Sequence, residues 1–139
     1  MKLAVGNFPK EFVINNTKEA AEQIVTFADS LNANICLIGN IRTGKTLICK
    51  QITDQHFEYK PALPDKPFIF KVGSQQKEND YVALDDTFEF SDERIMEFLN
   101  YINSNKLRFI ITAFRRENMR DSIFNYIDKH YNYIIVEIE

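Results

Sequence analysis

Tryptophan is missing from the 139-residue chain, and cysteine and histidine occur only twice each. Cys36 sits in an apolar run and Cys49 on an expected helix, so both are read as reduced structural thiols rather than a disulfide framework. A His/Cys metal centre would need more ligands at close spacing, and His56 and His130 lie far apart in sequence. No segment approaches the roughly 18 to 20 apolar residues of a membrane helix. The opening "MKLAVGNFPKEF" has no apolar run of the length a signal peptide needs. A cytoplasmic protein with no membrane partner is therefore expected. An excess of positive charge is also lacking: 17 Lys and Arg stand against 20 Asp and Glu, for a net charge of −3 and a pI near 5.5. Direct nucleic-acid binding over a broad face is thus expected to be weak or absent. No repeat or low-complexity tract stands out. What is abundant is aromatic: twelve Phe and six Tyr, most of which should be core. Length and a 45% hydrophobic share fit a single globular domain over 1–139, with 1–33 leading into a core at 34–139.

Periodicity orders that domain. "FVINN" at 12–16 reads as a short extended piece. "TKEAAEQIVTFADSLN" then sets Ala20, Ala21, Ile24, Phe27, Ala28 and Leu31 on one helical face, with Asn16 or Thr17 as cap. "NICLIG" at 34–39 is a buried-strand pattern. A helix is expected from Gly44 to about His56, with Leu47, Ile48 and Ile52 facing inward. "PFIFKV" at 67–72 and "DYVALDD" at 80–86 are strand candidates. The seven residues between them are too few for a parallel crossover, which leaves 57–64 as a substitute for the first. Ser91 caps a helix carrying Ile95, Phe98, Leu99 and Ile102. Strand 107–114, a helix over 117–130 and strand 133–139 complete the chain. Such alternation predicts an α/β fold with a mostly parallel sheet and helices on both faces.

One stretch carries chemistry. "GNIRTGKT" fills the pattern G-x-x-x-x-G-K-[ST] through Gly39, Gly44, Lys45 and Thr46, after a predicted strand and before a predicted helix. Glycines at that spacing let backbone N–H groups turn inward around a phosphate, and the helix N-terminus adds partial positive charge. Lys45 is the candidate for the β- and γ-phosphates and Thr46 for Mg²⁺. Asn40, Ile41, Arg42 and Thr43 complete the loop, and Leu47 follows it. About 40 residues on, "VALDD" ends a strand in two acids. Asp85 is the better candidate for the Mg²⁺ shell. Asp86 stands where many ATPases place a water-activating Glu; one methylene shorter, it predicts slow hydrolysis. Thr112, at the end of "RFIIT", is a candidate for contact with the γ-phosphate or the attacking water. Arg115 and Arg116 follow as phosphate- or partner-sensing candidates. ATP or ADP with Mg²⁺ is the expected cofactor.

Together these residues resemble the AAA+ ATPase core of the DnaA family, and most closely its small DnaA-related regulators of the Hda type. Phe12, Val13, Asn16 and Ala20 match that family's lead-in, "ICLIGNIRTGKTLI" its strand and Walker A, "YVALDD" its Walker B, and "FLNYINSNKLRFIITAFRREN" its sensor-1 helix and strand. The resemblance spans roughly residues 8–118. It implies a three-layer P-loop NTPase fold with a five-stranded sheet, Phe12, Val13 and Ile14 near the adenine, and Thr112 as sensor 1. It also implies a role in regulating replication initiation, with an initiator or sliding clamp as protein partner. Two departures are visible. Arg120 and Ser122 do not form the family's L-x-S-R stretch, and a lid is not expected after the closing strand. Weak or partner-dependent hydrolysis follows. Two other readings share the motif set: a minimal DNA-translocating or packaging ATPase of the FtsK–HerA type, with Arg115 or Arg116 acting in trans, and a small-molecule kinase using Arg115, Arg116 and Arg120 as a lid.

Overall fold

The computed structural model describes residues 2–5, 10–13, 16–40, 43–60, 68, 70 and 77–138, with side chains from residue 16 onward. Its strands are β1 (Lys2–Val5), β2 (Lys10–Val13), β3 (Asn34–Gly39), β4 (His56–Glu58), β5 (Tyr81–Asp85), β6 (Arg108–Ala113) and β7 (Tyr133–Ile138). Its helices are α1 (Thr17–Ser30), α2 (Lys45–Ile52), α3 (Asp92–Ser104) and α4 (Asp121–His130). They form one α/β sheet in the order β2-β1-β7-β3-β6-β5-β4. The five strands from β7 to β4 are mutually parallel. The β1–β2 hairpin adds two antiparallel strands beyond β7, which were not expected as a pair.

Alternation along the strands sends side chains to two cores. Ile35 and Leu37 of β3, Ala83 of β5, Ile110 of β6 and Val136 of β7 meet α1 and α2 on one face. Cys36, Val82, Leu84, Phe109 and Ile111 meet α3 and α4 on the other. β3 and β6 are buried along their whole length, because helices cover both faces. Asn16 caps α1 by accepting from the Glu19 N–H, and Ser91 caps α3 by accepting from Arg94, each satisfying one orphan donor. Both cysteines are free and buried. Among the described residues no helix is long and apolar enough to cross a membrane.

The amino ends of the strands are held by polar side chains. Asn34, 8% exposed, accepts from the Phe109 N–H (2.8 Å) and donates to the Asn132 carbonyl (2.9 Å), tying β3 to β6 and to the start of β7. Beside it Arg108 donates to Asp29 and Asn32, both at 2.9 Å.

Three expectations need correction. The helix expected to reach His56 stops at Ile52, because the Thr53 hydroxyl donates to the Tyr81 carbonyl (2.6 Å) and pulls the chain into β4. The strand candidate at 67–72 gives way to β4, which overlaps the start of its substitute at 57–64: Phe68 and Phe70 are not in a strand, and the other residues of 67–72 lie outside the described ones. The two rings pack instead on the aromatic cluster, Phe70 stacked on Tyr101 at 3.8 Å and Phe68 against Phe57 and Phe90. Finally, 117–130 is not one helix. A 3-10 turn at Arg116–Asn118 precedes α4, with Met119 buried between them.

Candidate functional site

The site is built where β3 and β5 end. β3 exits at Gly39, a position with no room for a side chain. A Cβ there would stand 2.7 Å from the Thr43 hydroxyl and 3.1 Å from the Ile138 carbonyl. Thr43 donates to the Asn40 carbonyl (2.8 Å), tightening the turn. Gly44 has φ of 93°, a left-handed conformation that glycine adopts without Cβ strain, and α2 starts at the next residue. The Lys45 ammonium folds back on the turn, donating to the carbonyls of Gly39 and Asn40. Burial lowers its pKa, opposed by the charges of Asp85 and Asp86. Leu47, in the first turn of α2, is 58% exposed and so does not face inward as expected.

Period-two alternation decides which acid faces this turn. Ala83 packs against α1 and α2, so Asp85 projects to the same side, toward the N-terminus of α2. Its Oδ2 accepts from the Thr46 hydroxyl at 2.5 Å and from His56 Nε2 at 3.0 Å. Its Oδ1 accepts from the Thr112 hydroxyl at 2.8 Å and from the Asp86 N–H at 3.1 Å. Burial raises the Asp85 pKa, but the hydrogen bonds from His56, Thr46 and Thr112 outweigh it and hold the carboxyl at about 2. Asp85 is therefore a buried, ionised, fully solvated-by-protein carboxylate.

Asp86 is different. It leaves the strand in the left-handed region (φ 53°) and its side chain is exposed. Its pKa is raised, first by burial of the carboxyl and then by the charges of Asp85 and Glu58. Two carboxyls one residue apart are thus pushed in opposite directions. Thr112 is 1% exposed, and its hydroxyl is used twice: it donates to Asp85 and accepts from the Asp86 N–H at 2.8 Å. Its role in this structure is to set the two acids rather than to reach outward.

Sequence reading thus brought Gly39, Gly44, Lys45, Thr46, Asp85, Asp86 and Thr112 to the ends of adjacent elements, and the structure places them there together. Ile14, Ile41 and Arg42 lie outside the described residues. Phe12 and Val13 belong to β2, separated from β3 by β1 and β7. Arg120 is not available as a lid: it donates to the carbonyls of Phe88 and Phe90 (both 2.7 Å) and to Asp92 (2.8 Å). Arg116 pairs with Glu137, while Arg115 has no ion-pair partner among the described residues and lies over the Phe114 ring. The residue that sequence reading missed is His56. Its only signal was a polar "TDQ" interruption before an aromatic residue.

A polar cavity of about 660 Å³ opens at the opposite, amino ends of β5 and β6. There Tyr81, Asp29 and Arg108 are bonded to one another. No protein-family model and no curated protein matches the chain, so its chemistry is read from this geometry.

Proposed function

We propose that the chain is a P-loop domain that binds a nucleoside di- or triphosphate with Mg²⁺ at Gly39–Thr46. The observation that carries this reading is the 2.5 Å bond from Thr46, at the first turn of α2, to the buried carboxylate of Asp85. A hydroxyl that donates to a carboxylate turns its lone pairs outward, toward the N-terminus of α2. That donor set, hard oxygens with a fixed anion behind them, suits Mg²⁺ rather than a soft metal. The side-chain-free position at Gly39 and the left-handed Gly44 suit backbone N–H groups closing on phosphate. Thr46 would hold the ion, Asp85 would orient its shell, and Lys45 would exchange its carbonyl contacts for phosphate oxygens. Bound Mg²⁺ would supply charge neutralisation at the β- and γ-phosphates. Asp86, exposed and raised in pKa, is the residue for accepting a proton from water.

With the resemblance to DnaA-type cores, this makes the chain an ATP- or ADP-binding regulator of replication initiation that works by contacting an initiator or clamp, with weak or partner-dependent hydrolysis. Arg115, exposed two residues past β6 and with no ion-pair partner among the described residues, favours a second reading, a minimal DNA motor in which that cation completes a neighbour's site. Calorimetric titration of Mg·ADP and Mg·ATPγS into wild type and Lys45→Ala tests the site. Micromolar binding that the variant loses is the expected result; a wild type that binds neither refutes it. Hydrolysis stimulated by DNA would favour the motor over the regulator.

A further inference from the structure

The four donors around Asp85 are not equivalent. Thr46 belongs to the glycine turn's own helix, and Thr112 and the Asp86 N–H bind the opposite oxygen. His56 comes from elsewhere, the three-residue edge strand β4. In the β4–β5 register Glu58 lies opposite Asp85 and His56 opposite Ala83, so the imidazole leans one pleat along the sheet to reach Oδ2. Its side chain is only 9% exposed. An ionised carboxylate accepts and cannot donate, so Nε2 carries the proton in this bond. The consequence is geometric. Oδ2 is held between two donors, Thr46 at 2.5 Å and His56 at 3.0 Å, and the carboxylate plane is fixed from both sides. Without His56, Oδ1 would still hold Thr112 and the Asp86 N–H, but Oδ2 would keep Thr46 alone and be fixed from one side only.

We propose that His56 is a positioning residue for the metal half of the site: its Nε2–H locks the Asp85 carboxylate so that the Thr46 hydroxyl stays oriented for Mg²⁺. This rests on the nucleotide reading above. It separates two parts of the site. The glycine turn and Lys45 serve phosphate whether or not metal is present, whereas the His56–Asp85–Thr46 chain serves only the ion. Groups that orient a metal's surroundings in this way typically contribute 10- to 100-fold in metal affinity.

The test uses the full chain with His56→Ala and His56→Gln, whose terminal amide N–H can take the place of Nε2–H. ADP affinity is measured by calorimetry in EDTA and in saturating Mg²⁺, and Mn²⁺ binding to the ADP complex by electron paramagnetic resonance. Circular dichroism melts check that each variant is folded. The expected result is that His56→Ala binds metal-free ADP within about twofold of wild type, loses roughly tenfold or more of the gain from metal, and weakens Mn²⁺ equally. His56→Gln should recover most of that gain. An unchanged metal gain in His56→Ala overturns the proposal. So does a loss that is equal with and without metal, since His56 would then merely support the fold. A wild type that binds ADP in neither condition removes the nucleotide reading itself. That outcome is distinct, because it appears before any variant is compared.

Discussion

Thr112→Val isolates the bonds that set the acid pair. The substitution keeps shape and volume at a site that is 1% exposed, so no cavity term enters. It removes the donor to Asp85 Oδ1 at 2.8 Å, a bond to a charged acceptor worth about 1.5 to 3 kcal/mol. It also removes the acceptor for the Asp86 N–H, worth about 0.5 to 1.5 kcal/mol, although that N–H still has Asp85 Oδ1 at 3.1 Å. Asp85 keeps Thr46 and His56, so it is not orphaned. Burying a methyl in place of the hydroxyl returns part of the loss. The net expectation is about 2 kcal/mol of destabilisation. Thr112→Ser, which keeps the hydroxyl and deletes a methyl, should cost about 1 kcal/mol. Urea denaturation followed by circular dichroism measures both, with an unchanged slope showing that the unfolded state is unaltered. If Thr112→Val lies within 0.5 kcal/mol of wild type, as is usual for surface substitutions, or if it costs less than Thr112→Ser, the bonds drawn here contribute nothing and the reasoning fails.

Other consequences are equally direct. Asn34→Ala leaves the buried Phe109 N–H without its acceptor and should cost about 1 to 3 kcal/mol in the same denaturation assay; a neutral result would mean the amide finds another partner. Gly39→Ala forces a Cβ against the Thr43 hydroxyl and the Ile138 backbone, so a loss of about 1 to 3 kcal/mol is expected, together with weaker nucleotide binding by calorimetry. Burial, with the Asp29 bond and against the pull of Arg108, raises the Tyr81 phenol from its ordinary value near 10 to about 12. The folded state therefore holds that proton more tightly than the unfolded one, and the contribution present below pH 10 is lost as pH rises toward 12. Melting series across that window should fall less steeply for Tyr81→Phe than for wild type; parallel slopes would contradict the assignment.

The central part of this architecture was legible because short-range rules govern it. Apolar runs bounded by Gly39 and Asp85 marked buried strands, helical spacing marked α1 and α3, and alternation alone puts Asp85 on the side of Thr46. What escaped is long-range. Ile48, Ile52 and His56 recur at helical spacing, so the pattern continues the helix past its true end. Long-range bonds break it, from the Thr53 hydroxyl to the Tyr81 carbonyl, 28 residues away, and from the Ala83 N–H to the Gln55 carbonyl. With the helix drawn through His56, its imidazole could not be set beside Asp85. The β1–β2 pairing was missed although Gly6, Asn7 and Pro9 are turn formers between two short runs. The Phe68 and Phe70 rings imitate a strand by alternation, while their partners are Tyr101 and Phe90 on and beside α3.

The sheet order has a kinetic meaning. β6 lies between β3 and β5, although 68 residues separate the end of β3 at Gly39 from the start of β6 at Arg108. During synthesis the turn at Gly39 and the acid at Asp85 are both made before the strand that must stand between them. Neither neighbouring pair, β3–β6 or β6–β5, can form until that late segment is available. The first half of the chain must wait with its apolar strand edges unpaired, a state open to aggregation, and non-local pairing of this kind folds slowly. The Thr46–Asp85 bond, which spans the gap over β6, thus depends on β6 having entered between β3 and β5.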